Sequence, residues 1–268
     1  MRLDLTGCRA VLLDLDGTLY HEDHALPGGA ELVHLLRRRP IPFACLSNST
    51  TSPRRVIDRL SGMGIEVQPE QIYTASVAAA DYVVKRFGGP DSSRRPRIFN
   101  LATEGVQELL DGKVDWVADA AETCDAVIIG APSNAMATEA RQRLALKLVR
   151  QGALPVGICA DRIYPSPRGL EFGSGALTSM LCYAANAQPV YCGKPQEFFF
   201  NELCRRLDVA PRDCLLIGDN LESDIGGARR LGMRTILTLT GVCSRADLLA
   251  ASIDHQPDAI INDLTELL

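Results

Sequence analysis

The sequence has no C-x-x-C pair, no apolar run of the ~18 residues a membrane helix needs, no basic excess, no internal repeat and no low-complexity tract. Each absence removes a class of protein. Without C-x-x-C, a structural zinc site or a thiol redox motif has no support. A formal net charge of −5 argues against a nucleic-acid partner, because such binding needs a basic footprint to displace counterions from phosphates. Local basic clusters remain, and one such run, Arg37-Arg38-Arg39, reads as the solvated end of a helix, where cations complement the dipole. No membrane partner is expected. The opening Met1-Arg2-Leu3-Asp4 is not followed by the apolar stretch of a signal peptide, so the expected location is cytoplasmic. Nine cysteines are present, but they are scattered, odd in number and set in apolar runs such as Phe43-Ala44-Cys45-Leu46, which predicts free thiols rather than a disulfide framework.

What is present is an ordinary globular composition, 46% hydrophobic and 23% charged, with enough apolar material for a sizeable core. A chain of 268 residues exceeds the usual single-domain size, so two domains are expected. Ala10-Val11-Leu12-Leu13 is an apolar run of the kind a buried parallel strand shows, and it delivers Asp14 and Asp16 at its carboxyl end. Gly28 to Arg38 and Pro53 to Met63 have helical spacing, separated by a strand from Ile41 to Leu46 that ends in Ser47-Asn48-Ser49-Thr50. The alternation returns after Pro189 with a strand at Val190-Tyr191-Cys192, a helix over Glu197 to Leu207, a strand over Cys214 to Ile217, a helix from Asp224 to Leu231 and a strand over Thr235 to Leu239. Both ends therefore predict one doubly wound α/β domain. The middle begins with the Gly/Pro/Arg-rich stretch Gly88 to Arg97 and has its own βα pattern: strands at Ile98-Phe99-Asn100 and Ala126 to Ile129, helices near Gly105 to Leu110 and Thr138 to Gln151. It reads as an insertion.

Four strand ends carry chemistry. The first is Asp14-Leu15-Asp16-Gly17-Thr18, two carboxylates whose proximity is costly unless a cation or a shared proton compensates. Mg²⁺ prefers such hard oxygen ligands. The second is Ser47-Asn48, able to hold phosphoryl oxygens but also an ordinary turn pair. The third is Gly193-Lys194-Pro195, which presents a point charge. In the fourth, Gly218-Asp219-Asn220-Leu221-Glu222-Ser223-Asp224, carboxylates open a helix; Ser223 or Asp224 would serve as its cap, whereas capping requires neither Gly218 nor Asp219. Acid pair, hydroxyl, lysine and acid pair, in that order, are the parts needed for phosphoryl transfer.

That order resembles the haloacid dehalogenase superfamily, and the matching motifs span nearly the whole chain. Gly17-Thr18-Leu19-Tyr20, Pro27-Gly28, Ser47-Asn48-Ser49 and Gly193-Lys194-Pro195 are similar to the NagD-type branch, which includes p-nitrophenyl phosphatase, pyridoxal phosphate phosphatase and phosphoglycolate phosphatase. The resemblance implies a Rossmann-like α/β core with a mostly parallel sheet, formed by residues 1–77 and 188–268, and an inserted α/β cap of the C2 type over 78–187. It also implies a Mg²⁺-dependent phosphatase acting on a small phosphorylated metabolite. Asp14 would be the nucleophile and Asp16 the general acid and base. Ser47, Asn48 and Lys194 would neutralise the phosphoryl group. The metal would be held by Asp14, the backbone carbonyl of Asp16 and Asp219, with Asp224 orienting the metal site or its waters. The presence of Asp16 separates this pattern from the dehalogenases of the superfamily.

Specificity is expected in the cap, from Val156 to Ala176. This chain keeps Asp161 and Gly173-Ser174-Gly175 but departs from the branch pattern at Ile158-Cys159 and Phe172, which places any particular family substrate in doubt. Asp161, Arg162, Tyr164 and Arg168 are the candidate substrate contacts, an arginine being suited to a second anionic group. His21 and His24 form an incidental or substrate-facing pair, and Trp116 is expected to pack within the cap. The resemblance allows a homodimer through the cap. Two other functions fit the same residues: a catalytically silent sensor of phosphate ligands, and a phosphotransferase that uses an acceptor other than water.

Overall fold

The computed structural model describes residues 3–88, 94–166 and 168–268; Met1-Arg2 and residues 89–93 of the glycine- and arginine-rich stretch lie outside them. The Ala10–Asp14 strand, with every residue buried, is central in a six-stranded sheet. Phe43–Ser47 and Ile72–Thr74 follow on one side; Cys214–Gly218, Arg234–Thr238 and Ala259–Ile261 follow on the other. The pairings of Ala10–Asp14 with both neighbours, and those out to Ala259–Ile261, are parallel. The chain runs first to one side of the opening strand and later to the other. The carboxyl ends of Ala10–Asp14 and Cys214–Gly218 therefore flank the switch point, where open parallel sheets bind ligands.

The apolar runs explain this order. Strands buried on both faces are continuously hydrophobic, and Val11, Leu13, Cys45, Leu215 and Ile217 pack into one core with Leu32, Leu36, Val56 and Leu60 from the helices Gly29–Arg37 and Pro53–Gly62. These helices match the predicted spacing. The helix expected from Asp224 differs: a π-helical turn over Leu221–Gly226 leads into a single α-helical turn, Gly227–Arg229.

The chain divides into two compact units. One comprises residues up to Ser47, Pro53–Tyr73 and Lys194–Leu268; the other comprises Asn48–Ser52 and Thr74–Gly193. The second unit holds a five-stranded sheet in the order Val190–Tyr191, Leu154–Gly157, Ala126–Ile129, Arg97–Leu101, Asp115–Trp116, all pairings parallel. Its core joins Phe99, Leu101, Val127 and Ile129 to Ala145 and Leu148 of the helix Glu139–Arg150 and to Leu177 and Leu181 of the helix Ser174–Ala185.

The unit boundaries differ from 77/78 and 187/188. The strand at Val190–Tyr191, read from sequence as part of the main domain, pairs Val190 with Val156 and Tyr191 with Gly157, so it belongs to the inserted sheet. The insertion also begins earlier, because Thr74, which caps the helix Ala75–Phe87, and the helix itself both fall in the second unit. All nine cysteines are free, with the Cys204 and Cys214 sulfurs 3.6 Å apart. Among the described residues, no helix is long and apolar enough to cross a membrane.

Candidate active site

Register brings the motifs together. Leu13 pairs with Ile217 and Asp14 with Leu46, so Asp14 ends its strand beside Gly218-Asp219 on one side and Ser47 on the other. Asp14, Asp219 and Asp224 are all buried, and each offers a carboxylate oxygen within 4.8 Å of the others. Lys194, itself buried, donates from Nζ to Asp14 Oδ1 at 2.5 Å and to Asp224 Oδ1 at 2.6 Å. Residues 180 positions apart in the chain thus share one hydrogen bond.

Glycines permit this crowding. Gly17 has φ +83°, open to glycine at no steric cost, and a Cβ there would stand 2.5 Å from Asp219 Oδ2. A Cβ on Gly218 would stand 2.7 Å from the Asp224 carboxyl carbon, and one on Gly241 would overlap Asp219. The turn after the first strand is tied by the Leu15 carbonyl, which accepts from the N–H groups of Thr18, Leu19 and Tyr20. Thr240 Oγ1 donates to the Gly17 carbonyl at 2.7 Å.

The second acidic pair is also fixed by backbone. Asp219 Oδ2 accepts from the Val242 N–H at 2.7 Å, and Asp224 Oδ2 accepts from the Asn220 N–H at 3.1 Å. The helical turn is capped by Asn220 rather than by Ser223 or Asp224: its Oδ1 accepts from Glu222 N at 3.0 Å and Ser223 N at 2.9 Å. Asp224 is thereby released from capping to face Lys194.

Electrostatics follow from burial and like charge. Burial, then the neighbouring Asp14 and Asp224, push the Asp219 carboxyl up to about 8. Burial and Asp14 push Asp224 up to about 6, against the pull of Lys194. Burial disfavours charge on Lys194, but Asp14 and Asp224 outweigh it and hold the ammonium above its ordinary range. One buried cation faces three carboxylates, an imbalance that a divalent cation with hard oxygen ligands would correct. These residues fit Mg²⁺.

Asp16 stands apart from that cluster, its side chain 56% exposed, with Oδ1 3.8 Å from His21 Nδ1. Desolvation by its surroundings raises its carboxyl above the ordinary range, with His21 and Arg59 acting the other way. His21 and His24 pair across a two-stranded hairpin. Sequence reading missed Arg59, which bonds Asp23 and the Glu22 carbonyl and lies 4.9 Å over the Tyr20 ring, bracing the loop beside Asp16. It also missed Thr240, whose hydroxyl reaches the Gly17 carbonyl, Gly241, whose missing Cβ leaves room for Asp219, and Val242, which acts through its backbone N–H.

Ser47 is buried at the carboxyl end of its strand. In the second unit Asn48 Nδ2 donates to Asp161 Oδ1 at 3.0 Å. Tyr164 OH hydrogen bonds with Ser133 Oγ at 2.6 Å, Arg168 pairs with Glu171 at 2.9 Å, and Arg162 is exposed. Trp116 is half-buried at the edge of the inserted sheet.

A parallel α/β core with buried aspartates and a lysine gathered at its strand ends defines a hydrolase of the haloacid dehalogenase type. A haloacid dehalogenase-like hydrolase family model matches residues 11–113, and a HAD-hydrolase-like model matches 191–267. The chain is 30% identical, over 96% of its length and 97% of the relative's, to haloacid dehalogenase-like hydrolase domain-containing protein 2 of Rattus norvegicus. It is similar in structure to a 4-nitrophenylphosphatase from Thermotoga maritima, with a TM-score of 0.87, 26% identity, and 98% of this chain and 97% of that one covered. A glycerol phosphate phosphatase from Mycobacterium tuberculosis in complex with magnesium also gives a TM-score of 0.87 at 26% identity, covering 100% of this chain and 79% of that one. The chain belongs to the haloacid dehalogenase-like hydrolase family, in its NagD-like branch.

Proposed function

We propose that this hydrolase, a phosphatase of the haloacid dehalogenase-like family, cleaves small phosphate monoesters through a phosphoaspartyl intermediate on Asp14. The observation that carries the reading is the convergence of Asp14, Lys194 and the pair Asp219 and Asp224 from three separate segments of the chain. An Asp14 oxygen attacks phosphorus as the ester bond to the alcohol breaks. Asp16, half open to solvent with a raised carboxyl, delivers a proton to the departing oxygen. In the second half it takes that proton back from the water that attacks the phosphoaspartate, releasing inorganic phosphate and restoring Asp14.

Lys194 neutralises charge between nucleophile and phosphoryl group, and Ser47 and Asn48 hold phosphoryl oxygens. Asp14, Asp219, Asp224 and the Asp16 carbonyl are the groups that would hold Mg²⁺, which when bound offsets negative charge on the phosphoryl oxygens. Sugar, glycolate, nucleotide and pyridoxal phosphates are the substrate types proposed, with Arg162, Tyr164 and Arg168 as contacts in the inserted unit. Turnover of p-nitrophenyl phosphate with Mg²⁺, lost in Asp14→Asn, tests the reading; a wild-type protein with no turnover on any phosphate ester overturns it.

We propose further that the protein forms a homodimer through the inserted unit. Ile163 and Phe172, opposite one another in a hairpin, are 54% and 68% exposed, and Leu170 and Tyr183 are more open still. Apolar surface gathered in this way supports an interface. Sedimentation of the wild type as a monomer would remove this part.

A further inference from the structure

In the phosphatase reading Asn48 stands at the phosphoryl group, and the role of Asp161 rests on that reading. Asp161 Oδ1 accepts from Asn48 Nδ2 at 3.0 Å, and its other oxygen accepts from the Cys159 thiol at 3.3 Å. A carboxylate only accepts, so it obliges the Asn48 amide to turn its NH₂ toward it. Burial raises the Cys159 thiol far above its ordinary range, which keeps the proton it donates. Both oxygens of Asp161 are thus engaged by this chain's own donors.

The platform beneath Asp161 is equally determined. Gly175 N–H donates to the Asp161 carbonyl at 2.9 Å and Gly173 N–H to the Arg162 carbonyl at 2.8 Å. Any Cβ on Gly173 or Gly175 would collide with the Ala160-Asp161 backbone, so the G-x-G pair is a close-approach device. On the far side a Cβ on Gly193 would stand 2.6 Å from Asn48 Oδ1 and 2.9 Å from Cys159 Cβ. Asn48, Cys159, Asp161 and Gly193 therefore form one packed cluster. Asn48 is bonded covalently to Ser47, and Gly193 to Lys194.

We infer that Asp161 is a positioning residue: it holds the Asn48 amide, and through it the Ser47–Asn48 segment, in the orientation that receives the phosphoryl group. It is not a substrate contact. Small displacements of positioning groups cost about one to two orders of magnitude in rate.

The test compares wild type, Asp161→Ala, Asp161→Asn, Asn48→Ala and the Asp161→Ala/Asn48→Ala double variant, with Mg²⁺, on p-nitrophenyl phosphate and on glycerol phosphate. Asp161→Ala is expected to lower kcat/KM about tenfold to a hundredfold, by the same factor on both esters. In the Asn48→Ala background the same change is expected to have no further effect. Asp161→Asn retains one acceptor oxygen and should lose less; it carries the comparison if Asp161→Ala does not fold. Losses that multiply in the double variant, or a loss confined to the hydroxyl-bearing ester, overturn the inference. The Asn48 side-chain amide resonance gives a readout independent of turnover. It should shift in Asp161→Asn, and an unmoved signal overturns the inference. A wild-type protein without turnover but with that shift would sink the phosphatase reading alone.

Discussion

Lys194 Nζ lies 2.6 Å from a carboxylate oxygen of Asp224, a side chain with no exposed surface. Asp224→Ala leaves Lys194 paired with Asp14 at 2.5 Å but strips the part-buried Asn220 N–H of its acceptor, a loss of about 1–3 kcal/mol that should lower the melting temperature, and Asp224→Asn, which keeps an acceptor, should lower it less. Lys194→Ala leaves three clustered carboxylates without their ammonium and should reduce kcat by about 10²–10³. Thermal melts and steady-state kinetics on the same preparations check both.

In the proposed mechanism Asp16→Asn removes the proton carrier from both half-reactions while leaving the buried cluster untouched. A fall in kcat of about 10²–10⁴ with a melting temperature near wild type is expected. Wild-type turnover would show that another group moves the proton.

Gly17→Ala combines a left-handed φ of +83° with a Cβ driven to 2.5 Å from Asp219 Oδ2. The backbone conformation alone costs on the order of 1 kcal/mol for a residue with a Cβ. Displacement of Asp219 should also raise the Mg²⁺ concentration needed for half-maximal activity. Titration of Mg²⁺ against rate measures that shift, and a concentration unchanged from wild type would separate Gly17 from the metal site.

Asp219 gives the metal-free protein a defined pH dependence. Its carboxyl is pushed up to about 8 when folded, by burial and then by Asp14 and Asp224, whereas an unfolded chain ionises it near 4. Below about 4 both states hold the proton and there is no penalty. Between about 4 and about 8 only the folded state retains it, so stability falls as pH rises, and above about 8 the loss is complete. In the proposed metal site Mg²⁺ would take the place of the proton. Melting curves from pH 5 to 8.5 in chelator should slope downward from this group, the slope should flatten with Mg²⁺, and apparent Mg²⁺ affinity should rise with pH. Equal slopes with and without the ion would exclude Asp219 as a ligand.

The main sheet was legible because buried parallel strands are unbroken apolar runs: Ala10–Leu13 and Cys214–Ile217 declare themselves, and Asp14 and Asp219 fall at their ends. Val190–Tyr191 was not, since a two-residue strand has too little pattern to name its sheet, and its parallel pairing with Val156 and Gly157 decides it. Asp161 read as a candidate substrate contact, and its bond to Asn48 left no signal because the two lie 113 residues apart. Val242 left no trace at all, because any residue but proline can supply the N–H that Asp219 accepts. The cap of the Leu221–Gly226 turn was assigned to Ser223 or Asp224, although Asn220 was equally qualified by its side chain.

The chain first enters the second unit at Asn48, one peptide bond beyond Ser47, returns to the first over Pro53–Tyr73, and finally leaves the second at Gly193, one peptide bond before Lys194. An engineer who grafts a foreign insert between Tyr73 and Lys194 would therefore transplant more than a recognition surface. The splice would replace Gly193, Cys159 and Asp161 while leaving Asn48 behind, so a chimaera that retained its own reacting groups would need those three junction residues restored before its turnover could be compared with the parent's.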